Sequence, residues 1–168
     1  MKPGAFPLFV RPEAGRALVI GSGRIAAHKA AMLHDAGFEV ETCRAEDFAG
    51  KNPGVFALVV AATADREFNR RVSAACREKR TLVNVVDDPS LCTVYFGAME
   101  KRGPVTVAVS TDGTCPVAGQ VLRDRIRPLL TDDFVATVER LGAEREDWKA
   151  RCPEPSERAQ AMRKEFEK

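Results

Sequence analysis

A short glycine-containing motif near the amino terminus carries the strongest chemical signal in this sequence. The apolar run Ala17–Ile20 is followed at once by Gly21-Ser22-Gly23-Arg24-Ile25-Ala26. We expect Gly21 to allow a tight turn, Gly23 to let a ligand approach the backbone, and Ala26 to pack against the strand. Free amides at the start of the following helix would then face phosphate groups. The motif predicts a dinucleotide site, and the alternative is a strand-turn-helix without a ligand.

An acidic side chain about twenty residues after the first glycine would bind the ribose hydroxyls of such a ligand. Glu41 lies at this spacing, in a predicted second strand, and its carboxylate favours NAD. Arg44 lies nearby and would favour a 2′-phosphate, and therefore NADP. The alternative interpretation places Glu41 on the exposed side of an edge strand. NAD is the cofactor that we expect.

Small and polar residues follow a third apolar run, in Ala61-Ala62-Thr63-Ala64-Asp65. Ligands of parallel sheets bind at the carboxyl ends of the strands, where small residues leave room for a cofactor. We therefore expect Thr63 to contact the cofactor. Asp65 is predicted to cap the next helix with its carboxylate.

A fourth strand ends in Asn84-Val85-Val86-Asp87-Asp88-Pro89. Its carboxyl end should face the same site, so Asp87 is placed for proton transfer beside a hydride acceptor. Val86 is assigned to the cofactor and Asn84 to the substrate. The alternative is a plain turn, because Asp-Asp-Pro is a good loop opener.

The loop Ser110-Thr111-Asp112-Gly113-Thr114-Cys115-Pro116 is the last candidate. It opens a predicted helix and could hold an anion on its backbone amides, although a turn with a helix cap explains it equally well. Cys115 has no evident histidine partner and is a poor candidate nucleophile. The only histidines, His28 and His34, fall on one predicted helix, so we expect no histidine-built metal site.

Composition narrows the class of protein. The chain has 168 residues and a net charge of +2, and it contains one Trp and one Tyr, so a nucleic-acid-binding role has little support. The sequence shows no membrane-spanning apolar run, and Met1-Lys2-Pro3-Gly4 does not open a signal peptide. The five cysteines are scattered without a C-x-x-C motif, which favours a reducing cytoplasm.

Strand and helix patterns alternate over the first half of the chain and predict a Rossmann-like α/β fold with a parallel sheet. The predicted strands cover residues 16–20, 38–43, 55–62 and 81–86, and the predicted helices cover 24–36 and 66–79. The connection 44–54 is short and carries little helix signal, so one helix of the ordinary unit is expected to be missing or reduced.

The pattern changes after Pro89. Leu91–Phe96 and Pro104–Ser110 are predicted to form an antiparallel hairpin joined by Gly97–Gly103, and helices are predicted over 116–129, 132–150 and 156–167. We expect three regions: a dinucleotide-binding domain at 1–88, a strand-rich region at 89–115 and a helical part at 116–168.

Six segments in this order resemble the precorrin-2 dehydrogenase / sirohydrochlorin ferrochelatase family of sirohaem synthesis. They are Pro7-Leu8-Phe9, the motif from Val19 to Lys29, Ala61–Asp65, Asn69-Arg70-Arg71-Val72, Asn84–Pro89 and Val107–Pro116. The resemblance runs from about residue 5 to about residue 130.

The resemblance implies NAD-dependent oxidation of precorrin-2 to sirohydrochlorin, with Asp87 as the general acid/base. It also implies that 89–115 is a dimerisation region, that the protein is a homodimer, and that Ser110, Thr111, Gly113 and Thr114 contact substrate. Arg24, Lys29, Lys101 and Arg102 are candidates to hold the substrate's carboxylates. Here Asp112 and Cys115 replace a glycine and a serine of the family's loop. An enzyme that also inserts ferrous iron and a non-catalytic NAD-binding sensor or scaffold are the alternatives.

Overall fold

Four short apolar strands form a parallel sheet in the order β2-β1-β3-β4. The computed structural model describes residues 4–167, so part of the interpretation of Met1–Gly4 lies outside the described residues. The strands are β1 (Ala17–Ile20), β2 (Val40–Cys43), β3 (Leu58–Ala61) and β4 (Leu82–Val85). Every residue of β1 and β3 is buried, as expected for central strands covered on both faces. The predicted Rossmann-like α/β fold is confirmed.

The strands are in a register that brings their carboxyl ends to one level. Ile20 pairs with Cys43 on one side and with Ala61 on the other, and Ala61 pairs with Val85. The chain segments that leave β1, β2, β3 and β4 therefore start at the same edge of the sheet. The order of the strands reverses between β1 and β3, which is where ligands bind in folds of this kind.

Two helices cover the sheet, α1 (Arg24–Asp35) and α2 (Arg66–Glu78). The predicted cap of α2 is confirmed, because the Asp65 carboxylate accepts a hydrogen bond from the Phe68 amide at 3.0 Å. No α-helix joins β2 to β3; the connection forms 3₁₀ turns at Ala45–Gly50 and Pro53–Val55. The expectation of a reduced helix is thus confirmed, while the apolar run from residue 55 contributes a strand only from Leu58.

The predicted strand at Leu91–Phe96 is wrong. This segment runs beside β4 without forming a regular strand ladder. The backbone amides of Thr93 and Val94 both donate to the one carbonyl of Val83, at 2.8 and 3.3 Å. Side chains supply the other bonds: the Thr93 hydroxyl accepts from the Val83 amide at 2.8 Å, and the Cys92 thiol sulfur accepts from the Val85 amide at 3.2 Å. The hairpin instead joins β5 (Ala98–Arg102) to β6 (Val105–Val109). Gly103, with φ +56°, makes the tight turn between them, so the predicted connection Gly97–Gly103 is a turn only at its end.

The carboxyl-terminal half is helical: α3 (Pro116–Ile126), α4 (Asp132–Ala143), α5 (Arg145–Arg151) and α6 (Pro155–Arg163). The single helix predicted over 132–150 is wrong, because the chain breaks at Glu144. The Glu144 amide bonds to the Arg140 carbonyl at 3.0 Å, and its carboxylate accepts from the Trp148 indole at 3.2 Å. Gly142, with its low helix propensity, precedes the break.

The chain divides into two compact units, Met1–Phe96 and Gly97–Lys168. The hairpin β5–β6 belongs to the same unit as the carboxyl-terminal helices. The three-region division at residues 88 and 115, with a dimerisation region between them, stays a prediction.

Candidate functional site

A groove of about 1010 Å³ runs along the carboxyl edge of the parallel sheet. Its volume is at the upper end of the range of small-molecule and cofactor sites, roughly 300–1,000 Å³. All its lining residues belong to the amino-terminal unit. Eight predicted site residues line it: Gly21, Ser22, Gly23, Arg24, Ile25, Thr63, Val86 and Asp87.

The glycine motif has the geometry expected of a phosphate cradle. Gly21 has φ +137°, and a Cβ atom there would lie 2.5 Å from the carbonyl oxygen of Ala62, so only glycine fits. Gly23 caps α1, and a Cβ atom there would meet nothing within 4 Å. The space above Gly23 is therefore open to a ligand. Ala26, which we also assigned to the cofactor site, is 3 % exposed and does not line the groove, so its burial agrees with the packing role alone.

The amino terminus of α1 adds positive charge to the cradle. The first amides of the helix point toward the groove with the positive end of the helix dipole. Arg24, the first residue of α1, lines the groove, and it makes no ion pair within residues 4–167. The residues present therefore fit the pyrophosphate of a dinucleotide.

Glu41 is not brought to the groove. It lies in the middle of β2, opposite Leu18, two residues before the strand ends. Its carboxylate pairs with Lys51 and lies 3.5 Å from the Arg16 guanidinium. The hydrogen bond from Lys51 holds the pKa of Glu41 below its usual range. This pairing explains why the twenty-residue spacing does not deliver Glu41 to the ligand.

The structure brings a different acid to this end of the groove. Arg44, Ala45 and Glu46 follow β2 and line the groove. The Arg44 guanidinium lies 3.2 Å from the Glu46 carboxylate and 3.4 Å from that of Asp47. Sequence reasoning missed Glu46, because the point at which β2 ends decides which acid faces the ligand. The end of β2 at Cys43 could have indicated Glu46, because the residues that follow the strand are the ones that reach the groove.

Asp87 lies at the carboxyl end of β4 and lines the groove with an exposed side chain. Its φ is +59°, in the left-handed region that few residues other than glycine adopt, although aspartate tolerates it better than most. Within the described chain, its carboxylate makes no hydrogen bond or ion pair. Non-glycine residues held in this conformation concentrate at functional sites.

The neighbouring Asp88 is committed to structure. Its carboxylate accepts hydrogen bonds from the Ser90 hydroxyl and from Arg66 Nε, the latter at 2.9 Å. These bonds hold the pKa of Asp88 below its usual range. Of the two adjacent acids, Asp87 is therefore the one whose carboxylate is available for proton transfer.

A partly buried lysine faces the same region. The Lys29 ammonium lies 4.3 Å from the centre of the Phe96 ring. Burial lowers the pKa of Lys29, and the negative charge of Asp87 acts in the opposite direction. The Lys29 ammonium and the Asp87 carboxylate are thus close enough for the charge of Asp87 to act on Lys29.

Two more residues of the groove were not assigned from the sequence. Asn69, on α2, is 5 % exposed and is hydrogen-bonded to Thr63 through both ends of its amide. Arg66 stands at the amino terminus of α2 and pairs with Asp88. Asn69 lies in one of the six segments that carry the family resemblance, but no role was assigned to it, and the pattern of an amphipathic helix accounts for Arg66.

Other predicted site residues lie elsewhere. Asn84 is buried and donates from its amide to the Val94 carbonyl at 3.0 Å, so it supports the segment after β4 and does not line the groove. Ser110, Thr111, Gly113 and Thr114 belong to the second unit, and their contact with substrate stays a prediction. There the Ser110 hydroxyl accepts from the Asp112 amide, and the Thr111 hydroxyl accepts from the Cys115 amide.

Of the basic candidates on the hairpin, Arg102 is bound within its own unit. Its guanidinium lies 2.7 Å from the Asp132 carboxylate and donates to the Leu130 carbonyl. Lys101 is exposed on β5. Within residues 4–167, no cluster of three or more histidine, cysteine or acidic side chains is arranged to hold a metal ion. None of the helices in that range is both long and apolar enough to span a bilayer.

Comparison with known proteins agrees with this site. Residues 8–98 match the family described as putative NAD(P)-binding. The chain is 31% identical over 180 residues to the siroheme synthase of Neisseria meningitidis serogroup C, covering 96% of this chain and 38% of that protein. It is 36% identical over 172 residues to the siroheme synthase of Methylococcus capsulatus, covering 90% and 36%. The chain therefore spans little more than a third of the length of these relatives.

A solved structure has the same fold over nearly the whole chain. It is SirC, a precorrin-2 dehydrogenase, which superposes with a TM-score of 0.69 at 16% identity and covers 95% of this chain and 88% of its own. At that identity the likeness shows the fold alone. The family match, however, covers more than half of the chain and includes the whole groove. The chain belongs to the putative NAD(P)-binding family, and its resemblance to the precorrin-2 dehydrogenase family is confirmed.

Proposed function

We propose that this chain catalyses the NAD-dependent oxidation of precorrin-2 to sirohydrochlorin in sirohaem synthesis. The observation that carries the proposal is Asp87, an uncommitted carboxylate held with φ +59° in the groove that also contains the glycine cradle. The siroheme synthase relatives support the pathway. SirC, a precorrin-2 dehydrogenase, has the same fold, which supports the proposal that this fold can carry out the reaction.

The oxidation removes a hydride and a proton from the reduced macrocycle. A bound nicotinamide would supply the hydride acceptor. The amides at the start of α1, with Arg24, would hold the pyrophosphate, and Gly23 would leave room for it. Asp87 would accept the proton and pass it to water. The chain's main contribution is thus to position two flat molecules and one carboxylate.

We propose NAD rather than NADP as the cofactor. Glu46 lines the end of the groove that follows β2, where the adenosine ribose binds in folds of this type. A carboxylate there accepts hydrogen bonds from ribose hydroxyls and repels a 2′-phosphate. The Arg44 guanidinium could attract that phosphate, but it is already shared between Glu46 and Asp47.

We also propose that the protein acts as a homodimer in the cytoplasm. Helix α3 exposes Val117, Val121 and Leu122, and strand β5 exposes Met99. Apolar side chains grouped on one element in this way are typical of surfaces that a partner covers. All five cysteines are free thiols, which supports a reducing compartment.

The test is anaerobic incubation of the protein with enzymatically generated precorrin-2 and NAD, followed by absorbance spectroscopy. Formation of sirohydrochlorin and NADH in equal amounts is expected. Binding of NAD without oxidation of precorrin-2 would contradict the proposed activity and favour a nucleotide-binding sensor.

A further inference from the structure

Thr63 and Asn69 form a closed pair at the groove. Thr63 follows β3 by two residues and is half-buried, and Asn69 is buried on the second turn of α2. Both residues line the groove. The Asn69 amide nitrogen donates to the Thr63 carbonyl at 2.9 Å, and the Thr63 hydroxyl lies 2.7 Å from Asn69 Oδ1.

The two bonds together fix the direction of the second one. Because the amide nitrogen is needed for the backbone carbonyl of Thr63, the atom that faces the Thr63 hydroxyl is the amide oxygen. An amide oxygen only accepts hydrogen bonds, so the hydroxyl must donate its single proton to it. The other acceptor in reach, the Asp65 carbonyl at 3.4 Å, also belongs to the protein. In either arrangement the proton is used inside the protein.

We propose that Asn69 makes Thr63 Oγ1 an obligatory hydrogen-bond acceptor toward the groove, which selects an N–H or O–H donor on the bound dinucleotide at this point. The donor is a ribose hydroxyl or the carboxamide N–H₂ of nicotinamide. A phosphate or carboxylate oxygen is disfavoured there, because two acceptors would face each other. Asn69 is therefore a positioning residue, and Thr63 determines specificity. This inference rests on the proposed binding of a nicotinamide dinucleotide.

The first test removes the acceptor. Thr63→Val keeps the side-chain shape and loses the hydroxyl, so the Kd for NAD should rise about 3- to 10-fold, the effect of one neutral hydrogen bond. Thr63→Ser should restore tight binding. Thr81→Val is the matched control: the Thr81 hydroxyl likewise donates within the protein, to the Pro53 carbonyl at 3.0 Å, but Thr81 does not line the groove. That variant should bind NAD like the wild type.

Three ligands distinguish the two donors. If the carboxamide donates, Thr63→Val should weaken the binding of NAD and leave the binding of ADP-ribose unchanged. The binding of nicotinic acid adenine dinucleotide should not weaken either, because its carboxylate has no proton to donate to Thr63. If a ribose hydroxyl donates, Thr63→Val should bind all three ligands more weakly than the wild type, by the same factor. Equal NAD affinity of Thr63→Val and the wild type, by calorimetry, would overturn the proposal. Failure of the wild type to bind NAD would instead overturn the proposed function.

The second test addresses Asn69 through a pH profile. Asn69→Asp reproduces both hydrogen bonds only when its carboxyl is protonated, because the acid O–H then replaces the amide N–H. The ionised carboxylate still accepts from the Thr63 hydroxyl but repels the Thr63 carbonyl, and this repulsion displaces Thr63 from its position at the groove. The buried position should raise the pKa of this new carboxyl. We expect the variant to bind NAD with wild-type affinity at about pH 5. Between about pH 5 and about pH 8 its affinity for NAD should fall about tenfold more than that of the wild type. The same affinity ratio at both pH values would overturn the role of Asn69.

Discussion

The Cβ atom that Gly21 lacks would lie 2.5 Å from the carbonyl oxygen of Ala62, whereas a Cβ on Gly23 would meet no atom within 4 Å. The first glycine is therefore required by the fold, because β1 and the segment after β3 approach each other closely. The second is required only if something else occupies the space above it. The two glycines of one motif thus have separable roles.

Substitution at the two positions should separate stability from binding. Gly21→Ala should lower the free energy of unfolding by about 2 kcal/mol or more, from steric overlap and positive φ. Gly23→Ser should leave stability unchanged, because serine is a good helix cap, yet it should weaken NAD binding at least tenfold. Urea unfolding and calorimetry measure the two effects. Wild-type NAD affinity in Gly23→Ser would contradict the phosphate cradle.

Cofactor preference should depend on Glu46 and not on Glu41. Glu46→Gln should reduce the preference for NAD over NADP about fivefold or more, because the carboxylate that repels a 2′-phosphate is lost. Glu41→Gln is the matched control, since Glu41 is paired with Lys51 away from the groove. Titration of each variant with both cofactors measures the ratio. A change in cofactor preference in Glu41→Gln but not in Glu46→Gln would show that Glu41, the acid at the twenty-residue spacing, binds the ribose.

The apolar face of α3 predicts how the protein assembles. Val121→Glu should convert the proposed homodimer to a monomer, because burying an unpaired charge in an apolar interface is strongly unfavourable. Val55→Glu is the control: Val55 is similarly exposed, at 56 % against 46 % for Val121, but it lies in the other unit. Light scattering after gel filtration gives the mass. A dimeric Val121→Glu variant would exclude this face as the interface.

Burial raises the pKa of the Cys76 thiol to about 12. In the unfolded chain this thiol ionises near about pH 8.5, so the unfolded state binds fewer protons above that pH. The stabilising contribution of this buried thiol to the free energy of unfolding is fully present below about pH 8.5. It is lost as the pH rises toward 12, by up to about 1.4 kcal/mol per pH unit.

Cys76→Ala should therefore show a shallower loss of stability with alkaline pH than the wild type. Cys115→Ala, at an exposed thiol, should follow the wild-type slope. Urea titrations at several pH values compare the slopes. Identical slopes in Cys76→Ala and the wild type would show that this thiol is not buried as described.

The sequence was sufficient to predict the structure where a residue pattern is compatible with only one local conformation. The buried strands β1 and β3 follow from continuous apolar runs, and Gly21 follows from a turn that only glycine fits. The sequence was insufficient where side chains interrupt a regular backbone ladder. Thr93 and Cys92 accept from β4 amides through their side chains, and the Thr93 and Val94 amides share one carbonyl, so this segment is not a regular strand although its pattern resembles one.

The site residues that come directly after a strand could be predicted from the sequence. Asp87 and Thr63 reach the groove because β3 and β4 end in register. Glu41 does not, because a count from Gly21 ignores where β2 ends. Asn69 could not have been assigned from its pattern, since its role depends on a hydrogen bond to a residue six positions earlier.

The most direct test of the central claim is the rate of precorrin-2 oxidation by Asp87→Asn, measured anaerobically with saturating NAD. Asparagine tolerates the left-handed conformation at φ +59° but cannot accept the proton. The account predicts a fall in turnover of about 10²- to 10⁴-fold with an unchanged Kd for NAD. Wild-type turnover in Asp87→Asn would contradict it.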